Sequence, residues 1–124
     1  MTKPTESELE ILRILWSKGP SSVRVVNEII NESKDSGYTT TLKIMQIMAQ
    51  KGLVERDESS RTHIYSTEIR EEKVQSAMLD RLMDTAFGGS ASQLVLNALG
   101  RGDASKQELE QIKALIKKLE DGNQ

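Results

Sequence analysis

Only one stretch of this chain reads as β-structure, and its position limits what the rest can become. Leu53-Val54-Glu55-Arg56 and Thr62-His63-Ile64-Tyr65 are two short β-type segments, joined by the polar, turn-like Asp57-Glu58-Ser59-Ser60-Arg61. Helical signals fill the sequence before it. Thr5-x-x-Glu8 forms a capping box, followed by Leu9, Leu12, Leu15 and Trp16 at helical spacing until Gly19-Pro20. Ser21 or Ser22 caps a second helix carrying Val26, Ile29 and Ile30, which fades into the turn-rich Ser33-Lys-Asp-Ser-Gly37. A third starts near Thr39 and ends at Lys51, with Gly52 suited to the left-handed closing position. Three helices followed by a β-hairpin outline a winged helix-turn-helix, and the expected class is mainly α with one small hairpin.

Beyond the hairpin the chain is again helical. Glu68 to Phe87 carries Val74, Ala77, Met78, Leu82, Met83 and Ala86, and Gly88-Gly89-Ser90 breaks it. A short apolar helix, Ser92 to Leu99, is closed by Gly100-Arg101-Gly102. A second capping box, Ser105-x-x-Glu108, then opens a helix with the seam Leu109, Ile112, Ile116 and Leu119. These helices hold about fifty residues, too few to bury such stripes alone. Either they fold back onto the N-terminal domain, or two copies pack together. The stripes are wider than one partner helix needs, which favours a homodimer. The expected domains are a winged helix over 1–67 and a helical dimerisation domain over 68–124. Its interface would use Val74, Met78, Leu82, Leu94, Val95, Leu109, Ile112, Ile116 and Leu119.

Composition removes most other chemistry. With no cysteine there is no disulfide, thiolate metal site or cysteine nucleophile, and the single histidine, His63, lacks partners for a metal site or a triad. There is no glycine-rich phosphate loop, HExxH or GxSxG. A non-enzyme without cofactor, metal or small-molecule ligand is expected. Met1-Thr-Lys-Pro-Thr-Glu lacks the apolar run of a signal peptide and no later segment resembles a membrane span, so a cytoplasmic protein is expected. The chain carries 17 basic and 19 acidic residues. They balance up to Ser66 and leave the deficit of −2 after it. If this neutral first part binds nucleic acid, its positive charge must be concentrated on one face.

The Thr39–Gln50 helix is the candidate for that face. At about 100° per residue, Leu42, Met45 and Ala49 turn toward the core, while Thr39, Lys43, Gln46 and Gln50 share a narrow outward arc. Thr40, Ile44 and Ile47 flank the arc, and Thr41 is counted with Thr40 and Ile44 in the expected DNA-contacting set. The segment contains no Asp or Glu, which phosphates would repel. Gln can bond adenine N6/N7, Lys can donate to guanine O6/N7 or a phosphate, and Thr or Ile methyls can meet thymine methyls. At the hairpin, Arg61 and His63 can reach the backbone or a minor groove, and Ser22 and Arg24 can meet a phosphate at the second helix's start. The same outward face could instead bind a protein partner, making the chain a winged-helix interaction module.

Five segments stand in a telling order and spacing: Glu8-Leu-Glu-Ile-Leu-Arg-Ile-Leu-Trp16, Gly37-Tyr-Thr-Thr-Thr-Leu-Lys-Ile-Met45, Lys51-Gly-Leu-Val54, Arg61-Thr-His-Ile-Tyr65 and Phe87-Gly-Gly-Ser90. Together, over about residues 4 to 120, they resemble the penicillinase-repressor family. That family includes the β-lactamase and methicillin-resistance repressors. The resemblance implies a homodimeric winged-helix repressor on a pseudo-palindromic DNA operator, with a C-terminal helical dimer domain. For its antibiotic-responsive branch it also implies a membrane-bound zinc metalloprotease sensor that triggers cleavage after Asn in a Leu-Val-Leu-Asn-Phe type segment. The matching stretch here is Leu94-Val-Leu-Asn97-Ala98, with Ala98 in place of the Phe. The copper-responsive branch carries a C-terminal cysteine cluster that this chain lacks, which excludes metal sensing of that type.

Overall fold

The computed structural model describes residues 3–122. Met1 and Thr2 of the segment read as no signal peptide, and the last two residues of the expected 68–124 domain, lie outside them. The elements run α1 (Glu6–Lys18), α2 (Val23–Ile30), α3 (Tyr38–Lys51), β1 (Glu55–Asp57), β2 (Ile64–Ser66), α4 (Glu71–Ala86), α5 (Ala91–Gly100) and α6 (Lys106–Gly122). The chain is mostly helical with one two-stranded antiparallel hairpin, in the order of a winged helix-turn-helix followed by helices.

Local chemistry sets the ends of these helices. Thr5 caps α1 in a complete capping box: the Glu8 N–H donates to Thr5 Oγ1 at 3.2 Å and the Thr5 N–H to Glu8 Oε1 at 2.9 Å. Ser22 caps α2 by accepting from the Val25 N–H at 3.2 Å. Gly52 closes α3 at φ 80°, a left-handed conformation that a Cβ would strain. The two strands begin later than the sequence suggests, because Leu53 and Val54 go into the core rather than into the ladder. Arg56 pairs with Tyr65, and Ser21 bridges to the other edge of Tyr65 through N–H···O bonds of 2.9 and 2.8 Å.

By its internal packing the chain divides into two compact units, Met1–Ser76 and Ala77–Gln124. The first has one core: Ile11, Leu12 and Leu15 of α1, Val23, Val26 and Ile30 of α2, Met45 and Met48 of α3, with Leu53, Val54 and Tyr65. Its boundary falls inside α4 rather than after the hairpin, since the linking segment is tied down. The Thr67 hydroxyl donates to the Leu53 carbonyl at 2.8 Å, and Trp16 Nε1 donates to the Ile69 carbonyl at 2.8 Å. Val74 is only 2% exposed, which corrects its expected place in a dimer interface. It lies in the first unit, inside the protein, where no second copy can reach it.

The second unit has well-formed helices and no interior. Ser90 caps α5 by accepting from the Gln93 N–H, and Ser105 and Glu108 close the box that opens α6 at 2.8 and 3.0 Å. Yet no side chain between 77 and 122 is buried. Met78, Leu79, Leu82, Val95, Leu96, Leu109, Leu115, Ile116 and Leu119 are all exposed.

Candidate nucleic-acid interface

Three parts of the first unit converge on one surface. Along α3, the buried stripe is Thr41, Met45 and Met48, and Leu42 and Ala49 are half-buried beside it. The helix is therefore turned slightly from its expected orientation, with Met48 rather than Ala49 inside. Thr39, Thr40, Lys43, Gln46 and Gln50 remain exposed, as does Ile47. Ile44 is a correction: its side chain is half-buried against the core rather than free on the outward face.

Thr41 is a second correction. It is 1% exposed and cannot touch a partner molecule. Its hydroxyl accepts from Asn27 Nδ2 at 2.8 Å, and the same amide group donates to the Ser36 carbonyl at 3.1 Å. Asn31 closes the network, donating to the Ser36 carbonyl at 2.8 Å and accepting from the Ser36 N–H at 2.9 Å. These bonds organise the turn between α2 and α3.

A shallow hollow then joins the start of α2, one side of α3 from Tyr38 to Gln46, and the hairpin. It is lined by Ser22, Arg24, Gln46, Arg61 and His63, five of the residues expected to contact DNA, together with Tyr38, Arg56 and Thr62. Thr39, Lys43 and Gln50 lie outside the hollow on exposed α3. Sequence reading missed Tyr38 and Arg56. Tyr38 is the first residue of α3 and half exposed, a position adjacency to Thr39 could have signalled.

The charges around the hollow are mixed. Arg56 holds its proton more tightly than a free guanidinium, through a hydrogen bond with Tyr65 and then the nearby Glu58 carboxylate at 3.3 Å. Arg24 lies 3.6 Å from Glu28 on an open helix face, where such a pair binds weakly. Asp57 is held below its usual carboxylate range by the Ser59 hydroxyl and N–H, with a smaller pull from His63. Among the described residues, Lys43 and Arg61 have no carboxylate within ion-pair distance. Of the Lys and Arg residues expected to contact DNA, these two are free to meet an anion. The α3 helix carries no acid, and Gly37 leaves its first N–H groups without a side-chain cap. Among the described residues no group of three His, Cys, Asp or Glu is placed to hold a metal, and no helix is long and apolar enough to cross a membrane.

A helix-turn-helix with a two-stranded wing, whose second helix turns amide, hydroxyl and ammonium groups outward, defines the winged-helix regulator class. The family profile described as penicillinase repressor matches residues 4–118, and the chain belongs to that family. It is 29% identical over 125 aligned positions to the transcriptional regulator BlaI of Mycobacterium tuberculosis, covering 99% of this chain and 89% of that protein. It is 23% identical over 114 positions to the methicillin resistance regulatory protein MecI of Staphylococcus aureus, covering 92% and 93%. The penicillinase repressor of Staphylococcus aureus is 21% identical over 110 positions, covering 89% and 87%. As a family member the chain is a transcriptional repressor.

Proposed function

We propose that this repressor reads DNA directly, as a homodimer on a pseudo-palindromic operator, with α3 of each copy in the major groove. The observation that carries the reading is the outward face of α3. Thr39, Lys43, Gln46 and Gln50 are exposed together on an acid-free helix, and the hollow beside it collects Arg24, Arg61 and His63 at either flank. Gln46 and Gln50 suit adenine, Lys43 suits guanine or phosphate, and Arg61 on the wing suits an adjacent minor groove. Ser22 and the first N–H groups of α2 and α3 suit backbone phosphates.

Affinity then depends on the second unit. A single half-site module held by a few cations binds weakly at physiological salt, and linking two makes the second contact intramolecular. The exposed apolar side chains of α4, α5 and α6 supply the surface for that link. Release follows proteolysis within Leu94–Leu99, with Asn97–Ala98 the candidate bond and a membrane-bound metalloprotease sensor the trigger. Operator DNA puts the site of action in the cytoplasm.

A gel shift with the DNA upstream of the protein's own gene, at low and high salt, tests the central reading. The Lys43→Ala/Gln46→Ala double variant should keep its helicity and lose operator preference, at about 1–3 kcal/mol for each lost base contact. Unchanged operator affinity in a folded double variant would remove α3 from the interface. A wild-type chain that prefers no DNA sequence would turn the same face over to a protein partner.

A further inference from the structure

The head of the buried stripe of α3 is a polar residue. Thr41 is 1% exposed and stands in line with Met45 and Met48, both completely buried. Valine would fill the same volume without a hydroxyl to satisfy. Burying that hydroxyl is tolerable because Asn27 Nδ2 donates to it at 2.8 Å and it faces the Gly37 carbonyl at 3.4 Å.

The rest of the stripe explains why the hydroxyl matters. Methionine has three rotatable bonds and fills gaps of many shapes, so Met45 and Met48 supply burial without fixing how far α3 is rotated. A hydrogen bond is directional, and its strength falls steeply once donor and acceptor are misaligned. Moving α3 along by one residue would turn it by about 100°; in one direction that presents Leu42, which has no hydroxyl, to Asn27, and in the other it carries the Thr41 hydroxyl away and buries Thr40 out of line with Met45 and Met48. Asn27 also holds the Ser36 carbonyl, so one side chain on α2 fixes both the turn entering α3 and the first turn of α3 itself.

We infer that Asn27 and Thr41 are positioning residues for DNA reading: their buried hydrogen bond sets the rotation of α3, and so the direction in which Thr39, Lys43 and Gln46 face. The inference rests on the DNA-binding reading for its functional half and on the geometry alone for its structural half. Thr41 touches no DNA; its effect passes through the helix it orients.

The test compares full-length Thr41→Val, which keeps shape and loses the hydroxyl, with Thr41→Ser, which keeps it. Two quantities are read. One is amide hydrogen exchange over residues 36–43 against the rest of the first unit. The other is affinity for a duplex selected from a random pool by the wild-type chain, divided by affinity for a scrambled duplex at the same salt. In Thr41→Val, exchange should quicken in 36–43 while α1 stays protected, and the affinity ratio should fall about tenfold, the discrimination carried by one misaligned base contact. Thr41→Ser should restore both. Should Thr41→Val fail to fold, Asn27→Ala removes the same bond from its half-exposed partner and carries the same expectations. A folded Thr41→Val with wild-type exchange and wild-type ratio overturns the inference, as does a Thr41→Ser that fails to rescue. If the wild-type chain selects no duplex, the DNA reading falls, and with it the functional half. The exchange arm still decides whether the bond holds α3.

Discussion

Glu8 shows how a surface-looking residue becomes structural. Its side chain is 4% exposed, and its carboxylate meets Lys51 Nζ at 2.8 and 3.0 Å while capping α1 through the Thr5 N–H. Burial alone would raise its pKa. The hydrogen bonds from Lys51 and Thr5 outweigh that and hold it below its ordinary value of 4.5. A carboxylate depressed in the folded state adds stability above its unfolded pKa, and that contribution disappears as pH falls through the folded pKa. The urea midpoint of Glu8→Gln should therefore lie below wild type at pH 7, and the gap should close as both are acidified below about pH 4. An unchanged gap at low pH would exclude the charged pair as its source. Lys51→Met should lose about 1–3 kcal/mol at pH 7, since it strands a buried acceptor. The capping half of this role was legible from Thr5-x-x-Glu8. The Lys51 half was not, because the partners are far apart in sequence and only the fold brings them together. Thr41 failed for a related reason: a threonine beside two others on a helix looks like surface until packing places it inside.

Among the elements, the three helices and hairpin were readable because each carries its own local signal: a cap, an apolar spacing, a terminating glycine. Boundaries set by tertiary contact were not readable. The stretch after the hairpin looks like a linker into the next helix, yet Thr67, Ile69 and Val74 belong to the first unit. A fragment ending at 66 lacks the Thr67–Leu53 and Trp16–Ile69 hydrogen bonds and the burial of Val74. It should be less stable than a fragment ending at 76 by about 2–4 kcal/mol, measured by urea unfolding followed through the fluorescence of Trp16, the single tryptophan. Equal midpoints would return the boundary to the end of the hairpin. α5 makes a separate prediction. Asn97 is exposed, but it sits within a helix and its amide donates to the Gln93 carbonyl at 2.8 Å. A protease needs an extended strand, so cleavage there requires α5 to open, and the flanking Gly88-Gly89 and Gly102, all at positive φ, leave a helix of ten residues with little to hold it. Mass spectrometry of the chain from induced cells should find a cut within 94–99. Full derepression with only intact chain would eliminate cleavage as the switch.

For the whole molecule, the two units pose opposite problems. The first buries most of its aliphatic side chains within one chain. The second displays Leu96 at 69% and both Leu115 and Leu119 at 54% exposure, and so short a helical unit without a core buries too little surface to be stable alone. The sequence conveyed this imbalance through stripes too wide for one partner, while the choice of partner helices depends on packing that spacing alone does not encode. Ile116→Glu/Leu119→Glu, charging the α6 seam, should leave the first unit folded and shift the chain to monomer in sedimentation at tens of micromolar, with a steep loss of operator affinity. A double variant that stays dimeric would move the interface off α6. In the proposed mode α3 reads DNA only as one of a linked pair, spaced about one helical turn of DNA apart. The mass of the complex between the full chain and a selected duplex, by native mass spectrometry, decides this. Two chains per duplex, reduced to no complex by Lys43→Ala/Gln46→Ala, is the expected result; one chain per duplex, or a two-chain complex indifferent to that substitution, would contradict it.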